Sequence, residues 1–85
     1  MELKDIESAI EAILFASGDP VSAERLAGAL ELDEGTVRTV ADHLADYYSF
    51  ERRGIRMLKI DGSYQLASAP EFAQRVRRAM ETRRP

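Results

Sequence analysis

Eighty-five residues, 45% hydrophobic and 32% charged, make one small domain with a modest core. There is no cysteine, which excludes disulfides and thiolate–zinc sites as sources of stability and fits a reducing compartment. The net charge of −3 is unevenly spread: residues 1–21 carry −4 and residues 22–51 carry −5, while residues 52–64 and 71–85 each carry +3.

The chain opens Met1-Glu2-Leu3-Lys4-Asp5, which has no signal-peptide character. The apolar run Ile10 to Ala16 is too short to span a membrane, so a soluble, cytoplasmic protein is expected. Ile6, Ala9, Ile10, Ile13 and Leu14 recur at helical spacing, which predicts a first amphipathic helix over about residues 4–17. Gly18-Asp19-Pro20 ends it. Ser22 is the expected cap of a short second helix from Ala23 to Leu30, with Val21 and Leu26 at the positions of a hydrophobic staple. Asp33 caps a third helix, along which Val37, Val40, Ala41, Leu44 and Tyr48 share one face. Gly54 is its expected stop.

Two runs, Ile55–Ile60 and Ser63–Ser68, flank Asp61-Gly62, a strong hairpin signal. A two-residue loop pairs Ile60 with Ser63 and Lys59 with Tyr64. One face then collects Ile55, Met57, Tyr64 and Leu66 toward the core. The other collects Arg56, Leu58, Ile60, Ser63, Gln65 and Ala67. Pro70 starts a last helix with Phe72, Val76, Ala79 and Met80 on one side. The predicted fold is α+β and mostly α: a winged helix-turn-helix of three helices, a two-stranded hairpin wing and a trailing C-terminal helix. Its expected span is residues 1–82, with 83–85 as the start of a linker or a frayed end.

No catalytic constellation is present. His43 is the only histidine, and with Asp46 it offers two ligands at i, i+3 spacing and nothing to complete a metal site. The serines lack a nucleophile–base pattern, and the five glycines are scattered rather than gathered in a phosphate loop. No cofactor, catalytic residue or metal ligand is expected, and an enzyme is disfavoured.

The winged-helix order suggests DNA, but the charge opposes it. Base reading uses the first turns of the helix after the turn, which here run Asp33-Glu34-Gly35-Thr36-Val37-Arg38-Thr39. From Ser22 to Glu51, two arginines face seven carboxylates, a surface that phosphate repels. Arg52, Arg53, Arg56 and Lys59 on the wing offer weak, salt-sensitive nucleic-acid contact at most. A DNA-binding transcriptional regulator is therefore the alternative reading. Apolar residues outside the expected core favour a protein partner: Phe15 on the first helix, Tyr47 and Phe50 at the edge of the third, and Leu58 and Ile60 on the outer wing. Each also has a bland explanation, such as Phe15 packing against the turn or the last helix and Phe50 closing its helix end. Burial of Leu58 and Ile60 in a homodimer, together with Tyr47 and Phe50, is the expectation carried forward.

The stretch Ile10-Glu11-Ala12-Ile13-Leu14-Phe15-Ala16-Ser17-Gly18-Asp19-Pro20-Val21-Ser22 resembles the opening of the segregation and condensation protein B family, ScpB. The likeness continues through Leu26-Ala27, Leu30, Val37, Leu44 and Tyr48, then Arg53-Gly54-Ile55, Gly62-Ser63-Tyr64-Gln65-Leu66 and Pro70-Glu71-Phe72. The hairpin Asp61-Gly62-Ser63-Tyr64 departs from a family pattern that often has a further glycine before the tyrosine. The resemblance implies a non-enzymatic, homodimeric adaptor. Such an adaptor binds the kleisin ScpA, and through it SMC, in chromosome condensation and segregation, and is cytoplasmic and nucleoid-associated. It implies two winged-helix domains in the family, of which this chain matches the first and lacks the second. Dimerisation is the safer expectation, since much of the kleisin contact in the family is attributed to the second domain.

Overall fold

The computed structural model describes residues 1–81, so the expected linker or frayed end at 83–85 lies outside the described residues. The element order is α1 (Leu3–Ser17), β1 (Val21–Ser22), α2 (Ala23–Leu30), α3 (Glu34–Phe50), β2 (Ile55–Ile60), β3 (Ser63–Ser68), a 3-10 turn (Pro70–Phe72) and α4 (Ala73–Glu81).

Helices α2 and α3 begin where side-chain caps place them. The Ser22 hydroxyl accepts from the Arg25 N–H at 3.0 Å. The Asp33 carboxylate accepts from both the N–H and the hydroxyl of Thr36, at 2.9 and 2.7 Å. Those bonds hold the Asp33 carboxyl below the usual carboxylate range. Gly18 takes the left-handed conformation that closes α1, and its N–H reaches the Leu14 carbonyl. Each of the first three helices turns one apolar face inward: Ile6, Ile10 and Leu14 from α1, Leu26 and Ala27 from α2, and Val37, Val40, Ala41, Leu44 and Tyr48 from α3. Met57 and Tyr64 complete the core from the sheet.

The hairpin register is the expected one, with Ile60 opposite Ser63 and Lys59 opposite Tyr64. Asp61 and Gly62 both have positive φ, as the two-residue turn requires. Four other features differ from the sequence reading. First, the sheet has three strands, in the order β1-β3-β2. The extended cap segment before α2 pairs Val21 with Tyr64 and Ser22 with Ser63, and the Ala23 N–H donates to the Gly62 carbonyl at 3.0 Å. The residues that start α2 thus also cover the free edge of β3. Second, α3 stops at Phe50 and not at Gly54. Arg52 adopts the left-handed conformation, and the Arg53 N–H closes on the Tyr48 carbonyl. Third, Ile55 lies on the core side of the sheet but is not packed into the core, and it is exposed. Fourth, α4 is preceded by a 3-10 turn, and none of its described residues is buried.

That last feature sets the shape. The molecule measures 48 × 25 × 23 Å with a radius of gyration of 14.4 Å. A compact chain of this length has a radius of gyration of about 12 Å. The difference reflects α4 standing off the three-helix body.

Glu31 ends α2 in the left-handed conformation, at φ 58° and ψ 45°. A side chain there is strained where glycine is not. Glu31→Gly is expected to stabilise the fold by ~1 kcal/mol, raising Tm by about 4–8 °C in a domain of this size. Differential scanning calorimetry measures the change.

Candidate partner surfaces

Two tyrosines tie the elements beneath the surface. The Tyr64 hydroxyl, on a ring that is almost wholly buried, donates to Asp42 Oδ1 at 3.0 Å. Lys59 Nζ lies 3.3 Å from the same carboxylate. Tyr48 on α3 donates from its hydroxyl to Glu11 on α1. One turn earlier on α1, Glu7 Oε2 lies 3.5 Å from His43 Nδ1 of α3, whose imidazole is largely exposed. Burial, and next the bonds to Asp42 and Glu11, push both tyrosine hydroxyls up to about 12.

The wing's cations are unequally available. Lys59 is held by Asp42. Arg56 pairs with Glu71 at 2.7 Å and also donates to the Arg53 carbonyl. Arg52 and Arg53 are exposed at the mouth of the wing. At the start of α3, the one arginine, Arg38, is 3.7 Å from Glu34. Of the four wing residues expected to meet phosphate, two are thus already neutralised in place. The first turns of α3 present paired or capping acids where a DNA reader presents donors.

The apolar residues divide between two surfaces. Leu58 and Ile60 lie on the outer face of β2, opposite buried Met57, and both are exposed. Tyr47 and Phe50 protrude near the end of α3. Phe50 is 83% exposed and so does not close its helix end, and the Tyr47 ring meets Tyr48 edge-on. Phe15 is 81% exposed and packs against neither the turn nor α4. It flanks a groove of about 500 Å³ between α1 and the sheet, lined by Ala12, Leu14, Tyr48, Ile55 and Leu66 with Glu11 beside them. The sequence reading missed this groove. Its one legible signal was Ile55, an apolar residue at the start of β2. No group of three or more His, Cys, Asp or Glu among the described residues could hold a metal ion. No described helix is long and apolar enough to cross a membrane.

A helix-turn-helix followed by a hairpin laid back on the start of α2 defines a winged-helix domain, here with an acidic reading helix and apolar outer surfaces. The sequence profile of "Segregation and condensation complex subunit ScpB" matches residues 8–85, and the chain belongs to that family. It is 37% identical over 76 residues to Segregation and condensation protein B of Lachnoclostridium phytofermentans, covering 89% of this chain and 40% of the relative. It is 38% identical over 82 residues to the protein of that name from Acetivibrio thermocellus, covering 95% and 41%. The chain therefore spans about two fifths of the length of the curated relatives it matches. A crystal structure of a dimer of the ScpB N-terminal domain complexed with ScpA peptide superimposes with a TM-score of 0.84 at 32% identity, covering 91% of this chain and 96% of that one. ScpB from Mycobacterium tuberculosis shares the fold, with a TM-score of 0.93 at 22% identity over 100% of this chain and 54% of that one.

The tyrosine bonds carry a pH dependence. Each hydroxyl holds its proton more tightly in the folded chain than in the unfolded one, whose ordinary value is 10.0. Their contribution to stability is therefore complete below pH 10 and is lost as pH rises toward 12. Urea midpoints measured from pH 8 to 12 should fall across that window, and Tyr48→Phe or Tyr64→Phe should each remove about half of the tyrosine-dependent slope.

Proposed function

We propose that this chain is a non-enzymatic, dimerising adaptor of an SMC–ScpA–ScpB complex, acting in the cytoplasm at the nucleoid in chromosome condensation and segregation. The observation that carries this reading is the likeness, over 91% of the chain and at 32% identity, to an ScpB N-terminal domain described as a dimer complexed with ScpA peptide. The described residues act as the first winged-helix domain of such a subunit. In this reading the homodimer forms on the outer wing, where Leu58 and Ile60 are exposed, with Tyr47 and Phe50 extending the apolar area. ScpA binds the dimer and links it to SMC.

The charge distribution supports protein over DNA as the partner. Acidic side chains occupy the turns that would read bases, and a protein surface tolerates them where a phosphate backbone does not. No cofactor enters this role.

Two measurements test the reading. Light scattering should give twice the chain mass for the native protein, and the Leu58→Asp, Ile60→Asp double variant should give a monomer. An unchanged dimer in that variant would take the wing out of the interface. Fluorescence anisotropy with duplex DNA at physiological salt should show no binding in the micromolar range. Tight duplex binding that is lost on replacing Arg52, Arg53 and Arg56 by alanine would favour a DNA-binding regulator instead.

A further inference from the structure

Helix α4 and the groove beside Phe15 are complementary in polarity and charge, and no α4 residue lines the groove. Phe72, Val76 and Met80 follow one another at four-residue steps, so they form a single stripe along the turn and α4, and all three are exposed. Arg75 and Arg77 flank that stripe, one on each side, and both are exposed. The groove is apolar along Phe15, Ala12, Ile55 and Leu66, and its rim is acidic at Glu11, with Glu7 one turn earlier on α1. An apolar stripe with basic flanks suits an apolar groove with an acidic rim, the helix-in-groove mode of recognition.

The root of α4 is fixed in a direction that keeps the stripe out of its own groove. Ala69 is wholly buried, and its N–H donates to the Gly54 carbonyl at 2.7 Å. The Arg56–Glu71 ion pair, also at 2.7 Å, clamps the turn that follows. With its base held in this way, α4 leads away from the body.

We propose that α4 of one copy seats its Phe72–Val76–Met80 stripe in the Phe15–Ile55 groove of a second copy, and that the exchange is reciprocal about a two-fold axis. The same patch pair then closes twice, burying two stripes and two grooves per dimer. This inference rests on the dimer reading above and adds a second contact to the one assigned to the wing.

The cysteine-free sequence allows a direct test. Phe15→Cys and Val76→Cys chains are mixed and mildly oxidised, and covalent heterodimer is quantified by mass. A Phe15→Cys and Glu24→Cys mixture serves as control, since Glu24 is exposed on α2. A disulfide requires Cα atoms within about 7 Å, so random encounters yield little. The exchange predicts at least tenfold more heterodimer from the first mixture. It also predicts that Val76→Asp with Met80→Asp shifts the mass toward monomer while leaving the circular dichroism of the body intact, because neither side chain belongs to the buried core. Heterodimer no higher than control, in a protein whose mass is still twice the chain, would overturn the exchange and leave the dimer reading standing. A native monomer would overturn both. Closure of a Phe15→Cys, Val76→Cys double variant upon itself in a dilute monomer would place α4 in its own groove and overturn the second copy as occupant. An ScpA fragment added before oxidation that brings the heterodimer down to control, with dimer mass retained, would assign the groove to ScpA instead.

Discussion

Tyr64 is the residue on which the three-dimensional arrangement turns. It lies in the central strand, opposite Val21 on one side and Lys59 on the other. Its ring is buried under the helices, and its hydroxyl reaches Asp42 on α3. An isolated hairpin is marginal in water. Burying an aromatic ring contributes about 2–3 kcal/mol, and a hydrogen bond to a charged group adds roughly 1.5–3. This one side chain therefore supplies much of what holds the wing against α3. Because β1 pairs through the same residue, it also sets where α2 begins.

The acidity of α3 follows partly from that structure. Asp33 caps the helix, Asp42 anchors Tyr64 and Lys59, and Glu34 faces Arg38. Glu11, on the neighbouring helix, holds Tyr48. Several of the carboxylates that make the surface hostile to phosphate are the ones that position the helices. The winged-helix shape is kept while the surface used for DNA in other winged helices is occupied by internal bonds. Apolar area appears elsewhere, on the outer wing and in the groove next to Phe15. A chain with this division of labour is suited to meeting other proteins.

How much was legible depended on whether a feature was local. The caps at Ser22 and Asp33, the Gly18 exit and the Asp61-Gly62 turn are each decided by a few neighbouring residues, and each occurs at the expected position. The hairpin register followed from turn length alone. The third strand was not legible, because two residues, Val21 and Ser22, give no periodicity to read. The C-terminus of α3 was misplaced because Gly54 looked like a stop, whereas the Tyr48 carbonyl captured the Arg53 N–H first and forced Arg52 into the left-handed conformation.

The sequence by itself determined the order of elements, the inward faces of the three helices and the imbalance of charge, since each arises from short-range spacing and composition. It also carried the ScpB likeness in ordered short motifs. The spacing also put Phe15, Tyr47, Phe50, Leu58 and Ile60 outside the core, and all five are exposed; only the tertiary structure decided that Ile55 and the α4 stripe join them. Ile55 and Met57 share one face of one strand, yet Met57 is buried and Ile55 exposed, because an open groove lies between Ile55 and α1. The stripe on α4 has the pattern of a core helix but none of it is buried, because Ala69 and the Arg56–Glu71 pair direct it away from the body. Burial depends on what lies opposite a residue, and its own sequence neighbours do not encode that.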